Sequence, residues 1–249
     1  MLKQGTVSML SPDQMRDLGS AVIQQLPGDI PGDIAQGWIG NKSALRDPLR
    51  RLLIPPEPMT VPDGGADFAE KLAYMENFWR RLFPTLDFGF EPDNMLVWPR
   101  KPGHDRLLVT PAGLWGNRLW EKFEEKKIPC WRYTSDLDKM VHLSGAPYVA
   151  TARWFRDRQE ADEELAGKSA LDLEASLIPG IIMPEHELYE LVYFEETGDH
   201  LDRKNTTLIS GSRGPDGDVP YADWDDDEFS VYDDDADARG PYLRARSAG

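Results

Sequence analysis

Residues 205–249 read NTTLISGSRGPDGDVPYADWDDDEFSVYDDDADARGPYLRARSAG. Eleven of these residues are Asp or Glu and four are Arg, which by composition alone describes a disordered acidic stretch. Read with a period of two, the same stretch describes strands. In VPYADWD, Pro220, Ala222 and Trp224 fall on one side of an extended chain, and Tyr221, Asp223 and Asp225 on the other. In EFSVY, Phe229 and Val231 fall together, with Ser230 and Tyr232 opposite. The pattern predicts two short strands with a buried face and a display face crowded with Asp, Tyr and Ser. A catalytic site has a few convergent groups, whereas this segment offers a broad patch of similar ones.

The whole chain bounds that reading. Its 249 residues can form one large domain or two small ones, and 40% hydrophobic content with eight Trp and eight Tyr is globular. A net charge of −16 argues against nucleic acid or an anionic membrane as partner, since both need a basic footprint. No apolar run approaches the roughly 20 residues of a membrane span, and no basic-then-apolar signal pattern opens the chain. The cytoplasm is therefore the default compartment, with export lacking a recognisable signal left open. The lone Cys130 has no partner for an internal disulfide, in keeping with a reducing environment.

In chain order, Ser11-Pro12-Asp13 is a helix start, and Met15, Leu18, Val22 and Leu26 continue its apolar stripe. Short helices follow within 34–53, where Arg46, Arg50 and Arg51 read as a solvated basic face. Four Pro and two Gly in 55–65 mark a linker or long loop. Residues 1–65 are thus expected to be a helical segment ending in a linker, and residues 66–249 an α+β domain. Helix 66–83 carries Phe68, Leu72, Met75, Phe78, Trp79 and Leu82 at three- and four-residue spacing, a core stripe. Strands are expected at 95–98 and 106–110, joined by a turn, and at 130–133 and 148–155. A helix over 116–127 turns Leu119, Trp120 and Phe123 inward, and Ser135-Asp136 can cap a short helix. Residues 157–176 read as a solvent-facing helix or helix pair. A stronger helix opens at Pro184, with Leu188, Leu191, Val192 and Glu195 at helical spacing, and stops at Gly198. Residues 206–210 form a candidate strand.

Catalytic signatures fail on inspection. His186-Glu187 begins an H-E-x-x-H, but position 190 is Glu190. Cys130 and His142 are the one conceivable nucleophile and base. His104, His142, His186 and His200 lack metal-ligand spacing, and Glu163-Glu164 and Glu195-Glu196 read as solvated charge. Calcium is the better alternative. Asp223, Asp225 and Asp227 have D-x-D-x-D spacing, as do Asp233, Asp235 and Asp237. An EF-hand needs Gly at its sixth position and Glu at its twelfth. These runs offer Glu228 with Asp234, and Ala238 with Arg244. Like charges on adjacent strands oppose pairing by about 0.2–1 kcal/mol for each directly opposed pair, so something other than folding set these residue types.

The chain resembles an uncharacterised family of bacterial proteins over DRLLVTPAGLWGNRLWE, PCWRYTSDLD, YVATARWFRDRQEADEELAGKSA and LYELVYFEETGDHLDRKNTTLISGSRGPDGDVP, with AQGWIGNKSAL also similar. The family ending is matched by Gly211-Ser212-Arg213, Asp216-Gly217, Val219-Pro220, Trp224, Ala236-Asp237, Leu243-Arg244 and Arg246. Departures are Ala222 for the usual Val and a longer ARGPY insert before Leu243. The family in turn is similar to the target, or variable, proteins of diversity-generating retroelements. Those systems rewrite the 3′ end of a gene at adenines, and their targets generally display the altered side chains on a C-type-lectin-like fold.

The resemblance implies a lectin-like portion at about 105–249, in the order β-α-α-β-β-β-β, with a small antiparallel sheet and two helices. It implies a display surface within 211–243, whose ligand-binding, variable positions are Gly214, Asp218, Tyr221, Asp223, Asp225, Asp226, Asp227, Ser230, Tyr232, Asp233, Asp234 and Asp235. Arg213, Trp224, Phe229, Val231 and Leu243 would be framework. The expected function is non-enzymatic binding of a protein or carbohydrate ligand, with an Asp-rich face favouring a cationic or hydroxyl-rich one. The expected cofactor is none, with calcium the alternative to it. Competing expectations are a calcium- or carbohydrate-binding lectin-like module of fixed specificity, a formylglycine-generating-enzyme-like fold that has lost catalysis, and an acidic nucleic-acid mimic. Tyr221, Asp223, Asp225, Ser230 and Tyr232 should share one exposed face.

Overall fold

The computed structural model describes Ser11 and residues 65–86, 90, 95–113, 116–142 and 150–249. The chain divides into two units, Met1–Pro55 and Pro56–Gly249, and every element described below belongs to the second. The expected helices before residue 54, residues 55–64 of the expected linker, and Tyr148 and Val149 of the expected 148–155 strand lie outside the described residues, and Gly65 opens the first helix.

The helices are α1 (Gly65–Leu82), α2 (Gly116–Glu125), α3 (Ala170–Ala175) and α4 (Met183–Thr197). The strands run β1 (Met95–Val97), β2 (Arg106–Thr110), β3 (Cys130–Arg132), β4 (Val141–His142) and β5 (Ala150–Phe155). They continue with β6 (Thr206–Leu208), β7 (Ser212–Arg213), β8 (Val219–Asp225), β9 (Glu228–Asp234) and β10 (Leu243–Ala245). The class is mixed α+β, helix first and mostly sheet towards the end.

The aromatic stripe of α1 packs as its spacing dictates. Phe68, Leu72, Met75, Phe78, Trp79 and Leu82 are buried, and Trp79 Nε1 donates to Val109 O of β2 at 2.7 Å. β1 and β2 do not pair with each other across the expected turn. β5 lies between them, parallel to β1 and antiparallel to β2. Thr151 through Phe155 are all buried, so the alternation in β5 separates two covered faces rather than core from solvent. Asp136 caps a 3₁₀ turn over Leu137–Lys139, as expected, accepting from Asp138 N.

The 157–176 segment is less helical and less exposed than its composition suggests. It holds a 3₁₀ turn (Glu163–Leu165) and the short α3, closed by a capping box between Ser169 and Asp172. Leu165, Ala170 and Leu173 are buried against Leu208, Val219 and Ala245 of the sheet. α4 departs further. Its first ten residues, Met183–Val192, are all buried, with Glu185, His186, Glu187 and Glu190 among them. It is a central helix, ended by Gly198 at φ 70, a left-handed conformation that glycine adopts without steric cost.

The main sheet has the order β10-β6-β8-β9-β3. Its centre is antiparallel, but both edge pairings, β10 with β6 and β3 with β9, are parallel. The expected antiparallel sheet is therefore corrected at its edges, because β3 arrives from before the central helix and β10 returns from a long excursion. One face packs on α2 and α4: Phe229 stacks on Phe123 at 4.9 Å and lies 5.9 Å from the His186 ring. Residues 245–249 bind the sheets together, with Ile181 N donating to Arg246 O and Gly249 exchanging two hydrogen bonds with Trp154. Among the described residues no helix is long and apolar enough to cross a membrane.

Candidate ligand-binding face

The geometry starts from the β8–β9 hairpin. Its register opposes Tyr221 to Tyr232, Asp223 to Ser230 and Asp225 to Glu228 on one face, and Ala222 to Val231 and Trp224 to Phe229 on the other. The second set is buried in the core. Only one pair of acids, Asp225 and Glu228, is directly opposed, so the expected like-charge penalty falls on a single pair. The connection is the two-residue loop Asp226-Asp227, with φ of 48° and 62°. That is the left-handed pair of a type I′ turn, which Asn-Gly adopts best. Replacing Asp226 by Asn and Asp227 by Gly together is expected to stabilise the fold by about 1 kcal/mol. A thermal melt that moved down instead would contradict this turn geometry.

The sequence-predicted residues do not form one patch. Tyr221 and Asp223 are half-buried, and Asp225, Tyr232 and Asp234 are exposed on the face opposite the core. Ser230 shares that face but is only 3% exposed, a correction to the expected display. It is small, and in register it lies between Trp131 of β3 and Asp223 of β8. Asp226 and Asp227 are exposed at the hairpin tip, and Asp235 follows the end of β9, its N–H bound to Asp234 Oδ1. Asp233 points to the other side, because pleating alternates. Gly214 is buried; its N–H donates to Asp218 O, and a Cβ there would come 2.7 Å from Asp216 Oδ1.

Half of the outer face is already covered, since Leu208, Val219 and Ala245 lie beneath α3 and its neighbours. The open half is an aromatic shelf. Trp131, 43% exposed, has its ring 4.8 Å from that of Tyr232, which stacks on Tyr221 at 5.4 Å. The CWRY strand was legible in the sequence, but its parallel docking on β9, which brings Trp131 to this face, was not. Beside the shelf, Asp223 Oδ2 accepts from Thr206 Oγ1 at 2.8 Å, while its Oδ1 is shielded from solvent with no donor. Burial pushes the Asp223 carboxyl above its ordinary range against the pull of that hydrogen bond, with Asp225 adding to the rise. Burial also raises the Tyr221 hydroxyl, followed by the field of Asp234 and Asp223.

Beyond the other end of the hairpin, carboxylate oxygens of Asp216, Asp218 and Asp233 lie within 4.8 Å of one another. Asp218 and Asp233 are both raised, first by burial and then by neighbouring acids. Neither D-x-D-x-D run forms this group; folding brings Asp233 to the earlier DGD turn. Cys130 and His142 stand in different sheets, Cys130 in β3 of the main sheet and His142 in β4 against β7. Burial, then Glu124 and Glu228, pushes the Cys130 thiol up to about 11, the reverse of activation. Burial lowers His142 to about 4, and its Nδ1 hydrogen bonds Ser212 Oγ at 2.9 Å. His186 and His200 are engaged by Asp202 and Glu190. Glu195 and Glu196 pair with Arg81 and Arg106.

No protein-family model, curated protein or solved structure matches this chain.

Proposed function

We propose that this chain is a non-enzymatic ligand-binding protein whose face around Tyr221, Asp223, Asp225 and Tyr232 is diversified by a retroelement on a C-type-lectin-like scaffold. One observation carries the reading: the hairpin divides residue types by face. Trp224, Phe229 and Val231 are buried, whereas Tyr221, Asp223, Asp225 and Tyr232 of the same strands stand on the opposite side. A binding surface can change there without disturbing the core, because alternate residues of a strand answer to different environments. Tyr on a rigid sheet also provides contact area at low entropic cost.

The decisive measurement is the DNA flanking the gene. A near-duplicate of the 3′ coding end beside a reverse-transcriptase gene, with mismatches at template adenines in the codons for these positions, is the expected result. Close relatives that keep Tyr221, Asp223, Asp225 and Tyr232, with no such gene nearby, would overturn it.

A second reading has the Asp216, Asp218 and Asp233 group behind it: a calcium-binding lectin-like module of fixed specificity. On that reading, calcium titrated into the protein gives heat in a calorimeter and raises the melting temperature, and Asp216→Asn abolishes both. No heat and no stabilisation would remove it.

A further inference from the structure

We infer that the open half of the outer sheet face seats an arginine-bearing polypeptide segment of a partner protein. Trp131, Tyr232 and Tyr221 would be its stacking platform, and Asp223, Asp225 and Glu228 its counter-charges. The inference rests on the ligand-binding reading of that face and adds the chemical class of the ligand, together with Trp131, which no diversified position supplies.

The argument begins with the rings. Trp131 and Tyr232 are 43% and 38% exposed, whereas most other aromatics among the described residues are buried. With Tyr221 they form a run of neighbouring rings across three adjacent strands, Trp131 tilted against Tyr232 at 4.8 Å and Tyr232 stacked on Tyr221 at 5.4 Å between centroids. An exposed aromatic face carries negative quadrupolar potential, and guanidinium is the side chain that stacks on it most readily.

The surrounding charge has the matching sign. Asp223 lies in register beside Ser230 and Trp131, and Asp225 pairs with Glu228 at the hairpin end of the same face. Arg132, the neighbour of Trp131 in β3, is committed elsewhere: it donates to Asn117 Oδ1 and lies over the Trp120 ring on the core side. Asp225 is exposed on the same face. A guanidinium offers its carboxylate N–H donors and counter-charge together, and can engage it through two parallel bonds. A carbohydrate would supply donors but not the charge. Nucleic acid would be repelled. The chain's net charge of −16 further favours encounter with a basic partner.

The test uses the full chain and a fluorescein-labelled peptide of alternating Gly and Arg, with Gly-Lys and Gly-Glu peptides as controls, read by fluorescence anisotropy. The Arg peptide is expected to bind more tightly than the Lys peptide, and the Glu peptide not to bind. Trp131→Ala and Tyr232→Ala should each weaken binding by about 3- to 30-fold. Trp131→Phe, which keeps a ring, should restore part of it, and Glu70→Gln, at an exposed acid of α1, should leave it unchanged. Thermal melts of each variant separate lost binding from lost folding. Equal affinity for Arg and Lys peptides with no effect of Trp131→Ala would mean diffuse charge attraction and would sink the proposal, as would no binding of the Arg peptide. A random-peptide phage library panned in parallel keeps the two levels apart. Selected peptides that lack Arg but depend on Tyr232 overturn the arginine assignment and leave the ligand-binding face standing. Selected peptides indifferent to Trp131, Tyr221 and Tyr232 overturn both.

Discussion

Asp202→Ala is expected to cost about 3–5 kcal/mol of stability, the largest effect of any single substitution considered for this chain. Asp202 is 2% exposed and accepts three side-chain hydrogen bonds: from His186 Nε2 at 2.9 Å, Thr207 Oγ1 at 2.7 Å and Arg246 Nη2 at 2.6 Å. Arg246 is itself 2% exposed and also donates to the carbonyls of Arg158 and Gln159. Removing the carboxylate leaves a guanidinium out of water with neutral acceptors alone, and it strands the His186 and Thr207 donors. The backbone adds to the loss, because Asp202 has φ 54, a conformation Asp tolerates better than Ala. The network joins α4, β6 and the segment after β10, so its failure should loosen the sheet that carries the binding face. Urea titration measures the cost, and a loss below about 1 kcal/mol would contradict the account. Replacing Asp202 by Asn with Arg246 by Met, which removes both charges, should recover much of the difference.

The sign of the acid response follows from the same group. Burial pushes the Asp202 carboxyl up, but Arg246 and then His186 and Thr207 outweigh it and hold the carboxyl below its ordinary 3.8. Its contribution is therefore present above pH 3.8 and is lost as pH falls through the lower folded value. Asp202→Asn should flatten acid denaturation in that window.

What was legible in the sequence depended on whether an element keeps one face open. α1, α2, β8 and β9 do, so their periods of three to four and of two mark core and exterior, and their positions were readable from residues alone. α4 and β5 do not. In α4, Glu185 is taken up by Arg153, His186 by Asp202 and Glu190 by His200, partners outside the helix. Polarity there marks pairing rather than exposure, and periodicity has no means of finding the partner. The site divides in the same way. Tyr221, Asp223, Asp225 and Tyr232 follow from alternation within one hairpin. Trp131 depends on a parallel pairing between strands about a hundred residues apart, and the Asp216, Asp218 and Asp233 group on where a turn folds back. Ser230 illustrates a further limit: alternation assigns a side, but the size of the neighbours decides whether a side chain on that side reaches solvent.

Glu187→Met is expected to stabilise the protein by about 1–3 kcal/mol at neutral pH, the second large effect. Glu187 is 0% exposed and neither carboxylate oxygen has a hydrogen-bond partner. It fits because residue 116 is glycine; a Cβ there would come 3.1 Å from Glu187 Oε2 and 2.9 Å from Leu137 Cβ. Burial pushes its carboxyl well above the ordinary 4.5, against the attraction of Arg132 and with help from Asp138. The folded chain keeps this proton while the unfolded chain releases it above pH 4.5, so the contribution is fully present below 4.5 and is lost as pH rises through the folded value. One such proton tilts stability against pH by about 1.4 kcal/mol per unit. Glu185 acts in the same sense, and His142 and His104, lowered by burial, act in the opposite one below their ordinary 6.5. These groups are unchanged by the substitution, so the difference between the two proteins isolates Glu187. Urea midpoints taken from about pH 5 to about pH 8 should diverge with rising pH, the Met protein gaining. Parallel profiles would show that Glu187 finds a partner in solution, and a destabilised Met protein would show that its carboxyl holds the α2–α4 contact together.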